Sequence, residues 1–333
     1  MITQEEIKSF LEGNDPEQFI VAVEYDYASD SIYKIIEPPG GQKVIKKDTF
    51  IPFAWVGDLR GLNFYNSSKY AQKDSMSKYG IVIDKLETKG NQRLENGLKY
   101  IVKSLKGYSS LVNFFKDGGC DPWGEKSKSQ IMILPPVEQF LIQKEKRLFK
   151  GYDEYNDITR FVFDLETTSL EPKDGRIFMI GIKTNKGLKK VIECSNEDEE
   201  RNGLVEFFKI IDEIKPTIIG GYNSFNFDWY WILERCKTLH LDIKKICKTL
   251  NPNNNLKQSE NLLKLANEVE RYNQIGMWGY NIIDILHSVR RAQAINSNIK
   301  SAGLKYITQY IQAEAPDRVY ISHEDIGSMY REK

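Results

Sequence analysis

The eight residues from Phe161 to Thr168, Phe-Val-Phe-Asp-Leu-Glu-Thr-Thr, constrain the fold of this chain more than any other stretch. Their apolar, aromatic beginning is typical of a buried strand, along which side chains alternate between two faces. Asp164 and Glu166 therefore point to the same face, about 6–7 Å apart. Two carboxylates this close repel each other unless a cation lies between them, which favours a hard metal such as Mg²⁺ or Mn²⁺. The alternative is a strand end that simply reaches water.

Composition predicts a globular protein with two domains. The chain has 333 residues, of which 41% are hydrophobic and 12% aromatic. Lys plus Arg and Asp plus Glu each number 47, so any nucleic-acid site has to be a local basic patch. The four cysteines form no Cys-x-x-Cys pair, which argues against zinc and for reduced thiols in the cytosol. Neither a membrane span nor a signal peptide is predicted, so we expect a soluble protein with no membrane partner.

The first part of the chain predicts an α+β domain over residues 1–130, followed by a linking segment over 131–158. The predicted elements of the domain are a capped helix after Thr3, a hairpin over 19–36, a strand over 49–56, and helices over 94–105 and 109–116. Pro135-Pro136 begins the approach to the strand that carries Asp164. No motif in this domain indicates its role.

From residue 159 to residue 333 the pattern changes to strands and helices in alternation, which predicts an α/β domain within a chain that is α+β overall. The predicted strands are 161–166, 177–184, 191–193 and 217–220, and the predicted helices are 204–214, stopped by Pro216, and 229–236. The first three strands are expected to be antiparallel neighbours, and the fourth is expected to return beside the first. This order is that of a ribonuclease-H-like domain.

A third carboxylate, Asp228, comes where the fourth strand leads into a helix. A strand that returns beside the first would bring Asp228 to the same metal cluster as the first two carboxylates. The alternative is that Asp228 only stabilises the helix dipole. Asn223 is a candidate for capping or for a hydrogen bond to substrate. Phe225 and Phe227 belong either to the core, which we favour, or to a platform for an unstacked base.

These segments resemble the first and second exonuclease motifs of family B DNA polymerases: Asp-Leu-Glu-Thr-Thr at 164–168 and Asn-x-x-x-Phe-Asp at 223–228. The similarity extends to 136–140, 147–151 and 160–163, and covers about 135–333. It implies a proofreading 3′-5′ exonuclease domain that uses two Mg²⁺ or Mn²⁺ ions on the single-stranded 3′ end of primer-template DNA. The residues that it implies are Asp164, Glu166 and Asp228 for catalysis and metal binding, and Asn223, Phe227 and Thr167 for substrate binding.

The third motif of this family pairs a tyrosine with an aspartate four residues later, and Tyr280 and Asp284 have this spacing. We expect a strand there, because Gly279 and the two isoleucines between the pair disfavour a helix. In a strand the two side chains would lie about 13 Å apart, too far to act together. The residues around them resemble the segment that precedes the third motif, so we expect the true pair after Lys333. Asp284 stays open as a candidate fourth metal ligand.

The metal motifs of a polymerase palm domain are also missing, so we expect no DNA synthesis by this chain alone. The resemblance implies that a second polypeptide or a C-terminal polymerase region is the partner, in the cytoplasm of a prokaryotic or virus-infected cell. Two alternatives are an inactive DNA-binding and assembly module of a split polymerase, and a free-standing exonuclease that uses Asp284. Basic stretches at 144–150 and 244–245 are candidates for phosphate contacts, although such stretches are more often solvated surface.

Overall fold

The computed structural model describes residues 3–59, 69–86, 98–124, 130–265 and 268–314, together with residue 319. The chain divides into two compact units, Met1–Tyr152 and Asp153–Lys333. The strands of the first unit are β1 (Ile20–Asp26), β2 (Ser31–Ile36), β3 (Val44–Asp48), β4 (Phe53–Val56), β5 (Ile81–Lys85), β6 (Tyr100–Ser104) and β7 (Ile131–Met132). Its helices are α1 (Gln4–Glu12), α2 (Lys69–Tyr79), α3 (Tyr108–Asp117) and α4 (Pro136–Gln143).

Two sheets organise the first unit, one with the order β1-β2-β3 and one with the order β5-β6-β4-β7. The predicted hairpin over 19–36 is confirmed, since β1 and β2 pair antiparallel up to Asp26 opposite Ser31. The predicted helix over 109–116 is confirmed by α3, and the predicted first helix by α1. Phe114 and Phe115 of α3 are buried against the second sheet, so this helix and sheet share one hydrophobic core.

The predicted helix over 94–105 is wrong for the residues that the structure describes there. Residues 100–104 form β6, which pairs antiparallel with β4 on one side and with β5 on the other. The apolar spacing suited a helix, but Ile101 and Val102 are β-branched and favour a strand, and two neighbouring strands satisfy its backbone. Leu98 and Leu105 flank this strand, whereas Leu94 lies outside the described residues.

The predicted strand over 49–56 is shorter in the structure, where β4 begins at Phe53. Pro52 has no N–H for a sheet ladder, although its carbonyl accepts a hydrogen bond from the Ser104 N–H at 2.9 Å. The segment 131–158, predicted as a link, contributes β7 and α4 to the first unit, which ends at Tyr152.

The second unit is built on one five-stranded sheet. Its strands are β8 (Arg160–Thr167), β9 (Ile177–Thr184), β10 (Lys189–Glu193), β11 (Ile218–Gly221) and β14 (Asn281–Asp284), and a separate hairpin contains β12 (Lys257–Lys264) and β13 (Val269–Gly276). The sheet order is β10-β9-β8-β11-β14. The pairs among β8, β9 and β10 are antiparallel, whereas β11 lies parallel to both β8 and β14. The predicted ribonuclease-H-like arrangement is confirmed.

The first two α-helices of the second unit pack on one face of this sheet. The helices of the second unit are α5 (Glu197–Ile214), α6 (Asp228–Thr238), α7 (Ile243–Ile246), α8 (Ile285–Ile295) and α9 (Leu304–Tyr310), after a short 3₁₀ helix at Tyr155–Asp157. Phe163 of β8 packs edge-on against Phe207 of α5 and Trp229 of α6, with ring centroids 4.9 and 5.2 Å away. The opposite face of β8 carries Val162, which is 39% exposed, and the two carboxylates. In the described ranges, no helix is both long and apolar enough to cross a membrane.

Candidate exonuclease active site

β8 presents Asp164 and Glu166 on the accessible face of the sheet. Their neighbours Phe163 and Leu165 are buried in the core on the other face, as the alternation of a strand requires. The strand pairing with β9 becomes irregular between Glu166 and Thr167, so the strand ends just after the second carboxylate. The sequence and the fold therefore agree on a pair of carboxylates at the end of a central strand.

Asp228 meets this strand from the start of α6. Its side chain is only 3% exposed, and its Oδ1 accepts a hydrogen bond from the Leu165 N–H at 3.1 Å. The bonded N–H belongs to the residue between Asp164 and Glu166. The fold thus brings the third predicted carboxylate to the strand that carries the other two, because β11 runs parallel to β8 and delivers α6 beside it.

The electrostatics of this cluster favour a cation. Burial, followed by the negative charge of Asp164, raises the pKa of Asp228 to about 7. Burial also raises the pKa of Asp164. A positive charge close to these two carboxyl groups favours their ionised forms and lowers their pKa values. The donor set, carboxylate oxygens, is the one that Mg²⁺ and Mn²⁺ prefer.

The three carboxylates are not arranged as a closed cage. Within the ranges that the structure describes, no group of three or more His, Cys, Asp or Glu side chains is already set to hold a metal ion. The fit to a divalent cation rests on the chemistry of the donors and on the raised pKa values of Asp164 and Asp228. The assignment of metal ligands therefore stays a prediction.

A tight loop over residues 222–227 connects β11 to Asp228. A Cβ on Gly221 would lie 2.4 Å from the Ser224 Cβ, so only glycine fits where the loop begins. Asn223 has a left-handed backbone, with φ 61°, and its carbonyl accepts a hydrogen bond from the Phe227 N–H at 3.0 Å. The loop reverses the chain in few residues and places Asp228 at the first position of α6.

The predicted substrate residues have different surroundings. Phe225 is buried and its ring stacks on Tyr272 with centroids 5.6 Å apart, so it belongs to the core as favoured from the sequence. Phe227 is half-buried, beside Trp231 at the start of α6. The Thr167 hydroxyl donates to the Ser169 carbonyl at 2.7 Å and so supports the turn after β8. The role of Asn223, Phe227 and Thr167 toward substrate stays a prediction.

The candidate fourth ligand, Asp284, ends β14, and the predicted strand there is confirmed. Its side chain is 3% exposed and accepts hydrogen bonds from backbone N–H groups. Its charge contributes to the raised pKa of Asp228, after burial and Asp164. Tyr280, the other half of the sequence pair, is buried in the core, and burial raises its pKa.

A buried ion pair, which the sequence did not predict, holds α6 in place. Arg235 donates from Nε and from one terminal nitrogen to the two carboxylate oxygens of Glu200 in α5, at 2.8 and 2.7 Å. Glu200 also accepts the Ile177 N–H at 2.8 Å, at the start of β9. Arg235 lies seven residues after Asp228 and therefore on the same helix face. The seven-residue spacing from Asp228 is the signal that the sequence offered.

Comparison with known proteins assigns a family to this unit. A family model described as "DNA polymerase family B, exonuclease domain" matches residues 147–307. A DNA polymerase of Archaeoglobus fulgidus is 28% identical over 111 residues, which is 32% of this chain and 13% of that protein. A DNA polymerase of Phaeocystis pouchetii virus is 22% identical over 237 residues, which is 67% of this chain and 21% of that protein.

The fold comparison agrees with the sequence matches. The structure of the family B DNA polymerase from the hyperthermophilic archaeon Pyrobaculum calidifontis aligns with a TM-score of 0.64, at 15% identity. This likeness concerns the fold, and it covers 94% of this chain and 42% of that one. The chain therefore spans less than half the length of these polymerases. Residues 147–307 are an exonuclease domain of the family B DNA polymerases.

Proposed function

We propose that the second unit hydrolyses single-stranded DNA from its 3′ end, with Asp164, Glu166 and Asp228 holding Mg²⁺ or Mn²⁺. The observation that carries this proposal is the hydrogen bond from the Leu165 N–H to Asp228, which brings a buried acid to the strand of the other two. The exonuclease family match over 147–307 supports the reaction class. In a polymerase the same reaction serves proofreading during DNA replication.

The residues of the site have two roles, since some would bind the cations and others would position the substrate. When bound, two divalent cations supply the positive charge that activates water at neutral pH and offsets charge on the leaving 3′ oxygen. Such positive charge favours the ionised forms of Asp164 and Asp228, because burial raises the pKa of both carboxyl groups. Asn223, Phe227 and Thr167, next to these acids in sequence, would seat the terminal nucleotides.

Release of single nucleotides from a 5′-labelled oligodeoxythymidine tests this proposal directly. With Mg²⁺ or Mn²⁺ we expect stepwise shortening from the 3′ end by the wild-type chain. Asp164→Ala combined with Glu166→Ala should slow release by roughly 10³-fold or more, since charge stabilisation worth several kcal/mol is removed. A matched control, Asp153→Ala with Glu154→Ala, removes the same charge from exposed positions and should retain wild-type release. Equal rates in the site variant and the control would refute the proposal.

We also propose that the rest of a family B polymerase, on this or a second polypeptide, completes the enzyme and supplies DNA synthesis. Its support is apolar surface in the second unit: α8 buries none of its residues, and Ile295 is 88% exposed. Val191 on β10 and Ile283 on β14 are also exposed on the accessible side. The archaeal and viral relatives suggest the cytoplasm of a prokaryotic or virus-infected cell. Oligonucleotide binding without any cleavage in Mn²⁺ would instead favour an inactive DNA-binding module.

A further inference from the structure

Both carboxylate oxygens of Asp284 are occupied by backbone N–H groups. Oδ1 accepts from Asn223 at 2.9 Å and from Leu286 at 3.0 Å, and Oδ2 accepts from Phe225 at 3.0 Å. The parallel register of β11 and β14, with Gly221 opposite Asp284, places the carboxylate directly under the loop that follows β11. One side chain thus joins the end of β14, the start of α8 and the loop over 222–227.

This loop needs such a constraint. Asn223 has a left-handed backbone conformation, which asparagine adopts more readily than most residues but which is still the less common one, so a contact is needed to select it. The N–H groups of Asn223 and Phe225 both point to one buried acceptor, and a buried N–H without an acceptor costs about 1–3 kcal/mol. The carboxylate therefore selects one conformation of the residues that lie between β11 and Asp228.

The same contacts argue against a metal-binding role for Asp284. Its two oxygens accept hydrogen bonds from three backbone N–H groups, two on Oδ1 and one on Oδ2. A cation at this carboxylate would have to displace hydrogen bonds that the loop depends on. Asp284 is therefore suited to fix the loop through hydrogen bonds, whereas Asp164 and Asp228 are suited to bind a divalent cation.

We infer that Asp284 is a positioning residue for the DNA substrate: it fixes the loop over 222–227 and so presents Asn223 and Phe227 to the 3′-terminal nucleotides. This inference rests on the proposed exonuclease function and names the element that determines substrate affinity within it. It assigns Asp284 no direct contact with DNA or with metal.

Asp284→Asn tests the inference because it keeps the side-chain shape but replaces one acceptor oxygen with an NH₂ group. One of the three backbone N–H groups then faces a donor. We expect the Kd for oligodeoxythymidine, measured by fluorescence anisotropy in Ca²⁺, and the KM for release in Mg²⁺ each to rise about tenfold. The change in kcat should be smaller, and Mn²⁺ binding measured by calorimetry should be retained.

Asp242→Asn is the matched control, since Asp242 also accepts a backbone N–H at a helix start in the same unit, from Lys244 at 3.0 Å. It should leave the Kd and the KM at wild-type values. Unchanged Kd and KM in Asp284→Asn would overturn the inference, and so would loss of Mn²⁺ binding, which would make Asp284 a metal ligand. If wild-type protein released no nucleotide, the proposed function would fail on its own, and the Kd comparison would still decide the role of Asp284.

Hydrogen exchange of the wild-type chain covers the case in which Asp284→Asn does not fold. The amides of Asn223 and Phe225 should exchange slowly, as expected for N–H groups held by a buried acceptor. Slow exchange at both positions supports a fixed loop. Exchange at the rate of an open loop would overturn the inference without any variant.

Discussion

At the scale of single residues, Asp228 shows how burial and function are coupled. The folded protein without metal retains a proton on Asp228 up to a pKa of about 7, whereas an aspartate in an unfolded chain loses it near pH 4. Protonation of Asp228 stabilises the folded state. Its contribution to the free energy of unfolding is fully present below about pH 4 and is lost as the pH rises toward 7. The wild-type protein should therefore lose stability across this window when metal is removed.

Asp228→Asn should escape this loss, because asparagine keeps an oxygen for the Leu165 N–H but carries no charge. In EDTA at pH 8 we expect its free energy of unfolding to exceed that of the wild type by up to about 4 kcal/mol. The gap should close toward pH 4. Urea denaturation at a series of pH values measures it, with Asp153→Asn as the exposed control. A gap that stayed constant with pH would contradict the pKa assigned to Asp228.

The sequence allowed the three carboxylates to be predicted because the signal is local. Alternation along β8 placed Asp164 and Glu166 on one face, and the strand-to-helix transition marked Asp228. The role of Asp284 could not be predicted from the sequence, because its signal is not local. It depends on the parallel pairing of β11 with β14, two segments about sixty residues apart, and on which backbone N–H groups that register leaves over the carboxylate.

At the scale of elements, α6 is fixed at two points along one face. Asp228 bonds to β8 at its start, and Arg235 bonds to Glu200 of α5 two turns later. Glu200 is fully buried, and its carboxylate also accepts the first N–H of β9. The ion pair thus determines how α6 lies against α5 and the sheet, and hence where Asp228 meets β8.

Arg235→Met should destabilise the protein by about 3–5 kcal/mol, since it leaves the Glu200 carboxylate buried without its partner. Adding Glu200→Gln should recover part of that loss, because the remaining charge disappears while glutamine still accepts the Ile177 N–H. Urea denaturation of the two single variants and the double variant gives the coupling free energy. Strictly additive losses would show that the pair does not act as a unit.

The elements also show where local patterns mislead. Helical spacing of apolar residues predicted a helix over 94–105, yet residues 100–104 form a strand between two others. Tertiary pairing decided the outcome, since β6 completes a sheet whose strands are distant in sequence. The five strands of the main sheet in the second unit were predicted because their β-rich runs are separated by clear turns and by Pro216, whereas the hairpin of β12 and β13 was not predicted.

At the scale of the whole molecule, charge is balanced and the site is acidic. Lys plus Arg equal Asp plus Glu at 47 each, so the chain as a whole does not attract DNA through net charge. The carboxylates of the candidate site would repel a phosphodiester approaching them. Cation binding is therefore the step on which both substrate binding and hydrolysis depend in this account.

Calorimetric titration of the 333-residue chain with Mn²⁺ tests this central claim most directly. Wild-type protein should bind the ion, and the charge-neutral pair Asp164→Asn with Glu166→Gln should lose most of the heat. Asp153→Asn with Glu154→Gln, the same change at exposed positions, should bind Mn²⁺ as the wild type does. Identical isotherms for all three proteins would contradict the assignment of these carboxylates as metal ligands.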